Sequence, residues 1–113
     1  MYFRDQKVDV AVLECGLGGR LDSTNICKSK VCAITSIGYD HCEILGYSLD
    51  EICNEKAGII RHEVQVVIGP TVSKDIVAAK CAETKSSLHQ VLNENYRKSN
   101  TEIALLVSSL YSN

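Results

Sequence analysis

The chain has 113 residues, 45% hydrophobic and 23% charged, a size and balance that fit one folded domain and exclude a disordered or collagen-like polymer. Its net charge of −2 is spread along the chain, and aromatic residues make up only 5%, which argues against a nucleic-acid partner. No apolar run approaches the roughly 20 residues that span a bilayer, and MYFRDQKVD at the start lacks the apolar centre of a secretory signal, so a cytoplasmic protein without a membrane partner is expected.

Residues 8–15 (VDVAVLEC) form a nearly continuous, β-branched apolar run, which predicts a strand buried on both faces of a parallel sheet. A glycine-rich loop follows, and residues 31–37 (VCAITSI) predict a second buried strand that stops at Gly38. Ser48-Leu49-Asp50-Glu51 has the form of a capping box and predicts a short helix from about residue 49 to residue 57. Residues 64–68 (VQVVI), closed by Gly69-Pro70, predict a third strand. From Ser73 to about Leu92 the pattern predicts a surface helix, with Lys85-Ser86-Ser87 as the point where it would break. Ile103, Leu106, Val107 and Leu110 fall at i, i+3, i+4 and i+7 behind a second capping box, Ser99 to Glu102, and predict an amphipathic helix with one buried face. Strands alternating with helices give an α/β fold, a mainly parallel sheet flanked by helices. The six cysteines show no C-x-x-C pair and no metal-ligand spacing, and they read as reduced, several of them as small core hydrophobes.

The loop ECGLGGRLDSTN invites a nucleotide-binding reading that its details oppose. Gly16 and Gly18 fit the first two glycines of a dinucleotide fingerprint, but Leu21 stands at the third and the loop leads toward a strand. No glycine-lysine pair followed by a hydroxyl occurs anywhere, so a Walker-type phosphate cradle is absent from the sequence. Taken alone, the glycines would make a tight turn, Glu14 would be a solvent-facing carboxylate at a strand end, His41 a loop histidine bonded to backbone, and Lys56 a solvated helix lysine beside Glu55.

In combination the motifs say more. ECGLGGRLDSTN, then ITSIGYDHCEILG, then NEKAGIIR, in this order and spacing, resemble the folylpolyglutamate synthase and dihydrofolate synthase family of the Mur-ligase superfamily over about residues 3–69, and NYRKSNTEIALL resembles it more weakly. The resemblance implies that residues 1–113 are part of a P-loop-NTPase-like Mur-ligase central, ATP-binding domain, without the P-loop strand and the C-terminal domain. It implies magnesium at Glu14, whose hard oxygens suit that ion, a second metal ion at His41, and a carbamylated lysine at Lys56. It places Gly18, Gly19, Arg20, Leu21, Asp22 and Ser23 beside the folate or pterin, with Asp22 bonding a pterin ring or Arg20 pairing a substrate carboxylate. Thr24 and Asn25 would hold the loop shape, and Asn100 would lie near the adenine of ATP. Cys15 has no base placed to make it a nucleophile.

The implied reaction is ATP-dependent addition of L-glutamate to a folate carboxylate through an acyl phosphate, with ATP and Mg2+ as cofactors and a folate or pteroate and L-glutamate as substrates. The alternatives are glutamate addition to dihydropteroate and a non-catalytic remnant of the fold. As an internal piece of a two-domain ligase the chain is expected to be inactive alone, monomeric and cytoplasmic, with a mitochondrial copy left open.

Overall fold

A computed structural model describes residues 2–113, and its elements follow in the order α1 (Tyr2–Asp5), a 3-10 turn (Ser23–Ile26), β1 (Val31–Ile34), α2 (Cys42–Leu45), α3 (Leu49–Ala57), β2 (Gln65–Ile68), α4 (Lys74–Thr84), β3 (Ser87–Gln90) and α5 (Tyr96–Ser112). The three strands form one parallel sheet in the order β1-β2-β3, with Val31 opposite Gln65 and Gln65 opposite Ser87. Parallel neighbours cannot be joined by a tight turn, so each crossing carries helix: α2 and α3 between β1 and β2, α4 between β2 and β3.

Alternation along the strands sorts side chains onto two faces. Cys32 and Ile34 of β1 and Val66 and Ile68 of β2 pack with Ile52, Cys53 and Ala57 of α3 and Val77 and Cys81 of α4. Val67 packs on the opposite face with Val91 and Ile103, joined by the partly buried Val31, Ala33, Leu106, Val107 and Leu110. Helices therefore flank both faces, α3 and α4 on one and α5 on the other. Gly69 lies where the chain leaving β2 crosses the end of β1: its N–H donates to the Ile34 carbonyl at 2.9 Å, and an added Cβ would strike the Thr35 carbonyl oxygen.

The predicted helix over residues 49–57 is α3, and its capping box is complete: Ser48 Oγ accepts from the Glu51 N–H while the Glu51 carboxylate accepts from the Ser48 N–H. The apolar stripe of α5 is also as expected, but the helix starts earlier. Asn95 caps it by accepting from the Lys98 N–H at 3.1 Å, and Ser99 is a buried residue of its first turn rather than its cap. The helix expected from residue 73 breaks at the expected point: α4 ends at Thr84, because Lys85 adopts a left-handed conformation (φ 56°), and the chain then continues as β3 rather than as helix to residue 92. The strand expected over residues 31–37 is paired only as far as Ile34.

The largest correction concerns residues 8–15, which are not a strand among the described residues. They run without a ladder partner, and Val8, Val10, Val12 and Leu13 are exposed, Val12 by 92%. An apolar run reports a preference for burial; it becomes a strand only where a neighbouring backbone accepts its N–H and carbonyl groups. No helix among the described residues is long and apolar enough to cross a membrane.

Two substitutions check this packing by chemical denaturation. Ile52→Ala, at a fully buried position between α3 and the sheet, is expected to lower stability by about 2–5 kcal/mol. Asn95→Ala is expected to cost about 1 kcal/mol as a lost helix cap, and an equal capping loss at Ser99 instead would refute the helix start given above.

Candidate functional site

The segments after β1 and before the 3-10 turn meet over the last turns of α3 and enclose a cavity of about 80 Å3. It is lined by Cys15, Gly16, Leu17 and Gly18 of the glycine loop, Gly38, Asp40 and His41 from the segment following β1, Leu45 of α2, and Ile52 and Lys56 of α3. A cavity at the carboxyl end of a parallel strand is the usual place for a ligand in an open α/β sheet. Its volume suits an ion or a few waters and falls well short of the ~300 Å3 at which small-molecule pockets begin. Anything as large as a pterin would rest on the rim.

Three of the expected site residues thus share one cavity: Gly18, His41 and Lys56. His41 opens α2 in a left-handed conformation (φ 48°), and its N–H donates to Asp40 Oδ1 at 2.9 Å. The other Asp40 oxygen lies 3.6 Å from His41 Nε2, and both side chains are exposed. Lys56 is half-buried in the last turn of α3. Glu14 is exposed, does not line the cavity, and engages no hydrogen bond or ion pair among the described residues. No group of three or more histidine, cysteine, aspartate or glutamate residues is placed to hold a metal ion among the described residues. Magnesium keeps much of its water and takes one or two carboxylates together with substrate phosphates, so the free oxygens of Glu14 fit part of such a shell rather than a closed protein site. Asn100 sits in α5, on the opposite face of the sheet from α3.

The glycine loop owes its shape to one carboxylate. Asp22 Oδ2 accepts from the N–H groups of Gly16 at 2.9 Å and Leu17 at 3.0 Å, while Oδ1 accepts from the Thr24 N–H at 2.9 Å and the Thr24 hydroxyl at 2.6 Å. These donors, the Thr24 hydroxyl foremost, hold the Asp22 carboxyl down at about 2. Thr24 Oγ1 also lies 3.4 Å from Cys15 Sγ. Leu21 and Ser23 are exposed on the outer side of the loop, available to a ligand lying over it.

The Arg20 guanidinium pairs with the Glu55 carboxylate, Nη2 to Oε1 at 3.1 Å, and the Arg20 N–H donates to the Glu55 carbonyl at 2.9 Å. Asn25 Nδ2 donates to the carbonyls of both Arg20 and Gly58, each at 3.0 Å. Glu55 and Gly58 lie in the NEKAGIIR motif, but the sequence assigned neither of them a role. Gly58 ends α3 with φ −61°, a conformation open to any residue; what it provides is space, since an added Cβ would lie 2.6 Å from Arg20 Cα. Cys32, Cys53 and Cys81 are buried thiols, and burial pushes the Cys32 thiol up to about 12.

Comparison with known proteins identifies the arrangement. No family model matches the chain. Folylpolyglutamate synthase of Lacticaseibacillus casei is 45% identical over 87 residues, 75% of this chain and 20% of that protein. The chain is homologous to the folylpolyglutamate and dihydrofolate synthases of the Mur-ligase superfamily. The structure of a folylpolyglutamate synthase–AMPPCP–folate complex superposes on 98% of this chain and 36% of its own with a TM-score of 0.91 at 31% identity. Escherichia coli FolC in complex with DHPP and ADP matches 78% of this chain and 21% of its own with a TM-score of 0.73 at 40% identity. The chain spans about a fifth of the curated synthase it matches, and its three-stranded parallel sheet with flanking helices corresponds to the central domain of the synthase fold.

Because the Asp22 carboxyl sits near 2 rather than at its ordinary 3.8, its contribution to loop stability is complete above about pH 4 and is lost as the pH falls through about 2. The amide proton resonances of Gly16, Leu17 and Thr24 are expected to titrate together with a midpoint near 2 in an NMR pH series. Independent midpoints near 4 would show that the carboxylate does not hold all three.

Proposed function

We propose that this chain is the metal- and folate-facing part of the central, ATP-binding domain of a tetrahydrofolylpolyglutamate synthase, a ligase that adds L-glutamate to a folate carboxylate. The observation that carries the reading is the shared cavity of Gly18, His41 and Lys56 at the carboxyl end of a parallel sheet, beneath a glycine loop of the synthase pattern. In the proposed reaction the γ-phosphoryl group of ATP passes to the folate carboxylate, and the amine of glutamate then attacks the acyl phosphate and expels phosphate. Such a reaction needs placement and charge stabilisation rather than a protein nucleophile, which accords with a site built of loop, lysine and histidine.

Glu14 would hold Mg2+ and His41 a second metal ion, and such ions supply charge neutralisation at the transferring phosphoryl group. Lys56, half-buried and lining the same cavity as His41, would act as a carboxylate-bearing group once carbamylated, a modification that requires its neutral amine. Gly18, Gly19, Leu21 and Ser23 would border the folate, with Arg20 and Asp22 framing that surface, and the exposed outer side of the loop is where a molecule too large for the cavity can lie. Asn100 would serve ATP from α5. Homologues that carry both synthase activities in their names keep dihydropteroate as the second candidate acceptor.

The test places residues 8–69 of this chain in the matching stretch of the Lacticaseibacillus casei synthase. The hybrid is expected to lengthen tetrahydrofolate by glutamate with equal release of ADP, read by mass spectrometry, and Lys56→Ala in the same hybrid is expected to lower turnover at least about 100-fold. A folded hybrid that releases no ADP with either acceptor would refute the ligase reading. Product from dihydropteroate alone would assign the dihydrofolate synthase activity instead.

A further inference from the structure

A seam of hydrogen bonds and an ion pair joins the glycine loop to the C-terminal turn of α3. The last carbonyls of a helix lack i+4 partners within it, and here the loop adds donors: the Glu55 carbonyl takes the Arg20 N–H besides that of Gly58, and the Gly58 carbonyl takes Asn25 Nδ2. The Arg20 cation also sits at the negative end of the helix dipole, beside the Glu55 carboxylate that it grips through both Nε and Nη2. Both backbones are bare where they meet. A Cβ on Gly19 would lie 2.8 Å from the Lys56 carbonyl oxygen and 2.9 Å from that of Glu55. Arg61 closes the seam from outside, its guanidinium donating to the Asn25 carbonyl.

We propose that Arg20 and Asn25 are positioning residues that fasten the glycine loop to the last turn of α3 and thereby keep the Lys56 side chain covered within the cavity. Lys56 is half-buried and lines the cavity together with Gly16, Leu17 and Gly18 of the loop. The seam is what holds that loop against the helix. The guanidinium of Arg20 is engaged within the protein and acts on the site through Lys56. Its importance for turnover rests on the ligase reading given above, whereas the covering of Lys56 does not.

The test uses the 113-residue chain with neither ATP nor folate. Trace labelling with acetic anhydride, followed by mass spectrometry, gives the reactivity of Lys56 relative to Lys80, which lies apart on α4 with Glu83 as its partner. Arg20→Gln, Glu55→Gln and Asn25→Ala are each expected to raise the Lys56-to-Lys80 ratio roughly two- to fivefold, the range that one exposed ion pair or hydrogen bond supports. The double variant R20Q/E55Q should exceed neither single variant, and Arg20→Lys should fall between wild type and Arg20→Gln. An unchanged ratio in an Arg20→Gln protein with wild-type circular dichroism and melting would overturn the proposal. If Arg20→Gln does not fold, Arg20→Lys and Glu55→Gln are judged by the same criterion. In the hybrid synthase Arg20→Gln should lower kcat and leave the KM for folate within about twofold; a raised KM at unchanged kcat would make Arg20 a substrate ligand and overturn its positioning role. An inactive hybrid refutes the ligase reading and leaves the labelling result standing.

Discussion

Two stretches of backbone, one from the glycine loop and one from the end of α3, approach more closely than any side chain would permit, and the site exists because they do. Gly19 and Gly58 are the bare positions on either side. The loop would otherwise have no fixed height above the helix, since residues 8–21 contain no regular element to carry it. Once it is seated, the loop roofs Lys56, and the segment after β1 brings Asp40 and His41 to the remaining side. The sheet supplies the frame and the seam supplies the site.

The parts of the fold that could be read from the sequence are those settled within a few residues of themselves. The helix over residues 49–57 announces both its cap and its first turn in Ser48 to Glu51, and α5 announces its buried face in the spacing of Ile103, Leu106, Val107 and Leu110. Two strands were visible in their β-branched runs. What failed depended on neighbours. Ser87–Gln90 (SLHQ) is too polar to look like a strand, and it becomes one because the left-handed Lys85 turns the chain and β2 offers a free edge. Residues 8–15 look like a strand and have no edge to join among the described residues. Asn95 takes the cap that Ser99 had seemed to hold, since helix entry is settled by the whole turn and not by one motif.

The site divides in the same way. Its motif residues, Gly18, His41 and Lys56, stood out in short patterns that resemble those of the synthase family, and the fold gathers them around one cavity. The partners that hold the motifs together could not be read. Asn25 was expected to hold the loop shape, and Glu55 and Gly58 lie within NEKAGIIR, but nothing local to any of them reveals a partner more than thirty residues away. Function-bearing side chains leave local patterns; the contacts that aim them are long-range.

The Asp22 carboxylate gives the loop a property of its own. Successive N–H groups of a glycine-rich bend form a concave nest for an anion, which is how such loops hold phosphate. Here the N–H groups of Gly16 and Leu17 already point at Asp22 Oδ2. The nest is therefore occupied by an anion that the chain itself provides, a carboxylate that stays ionised down to about pH 2. A bend with the glycines of a nucleotide loop spends its two amides on one of its own side chains.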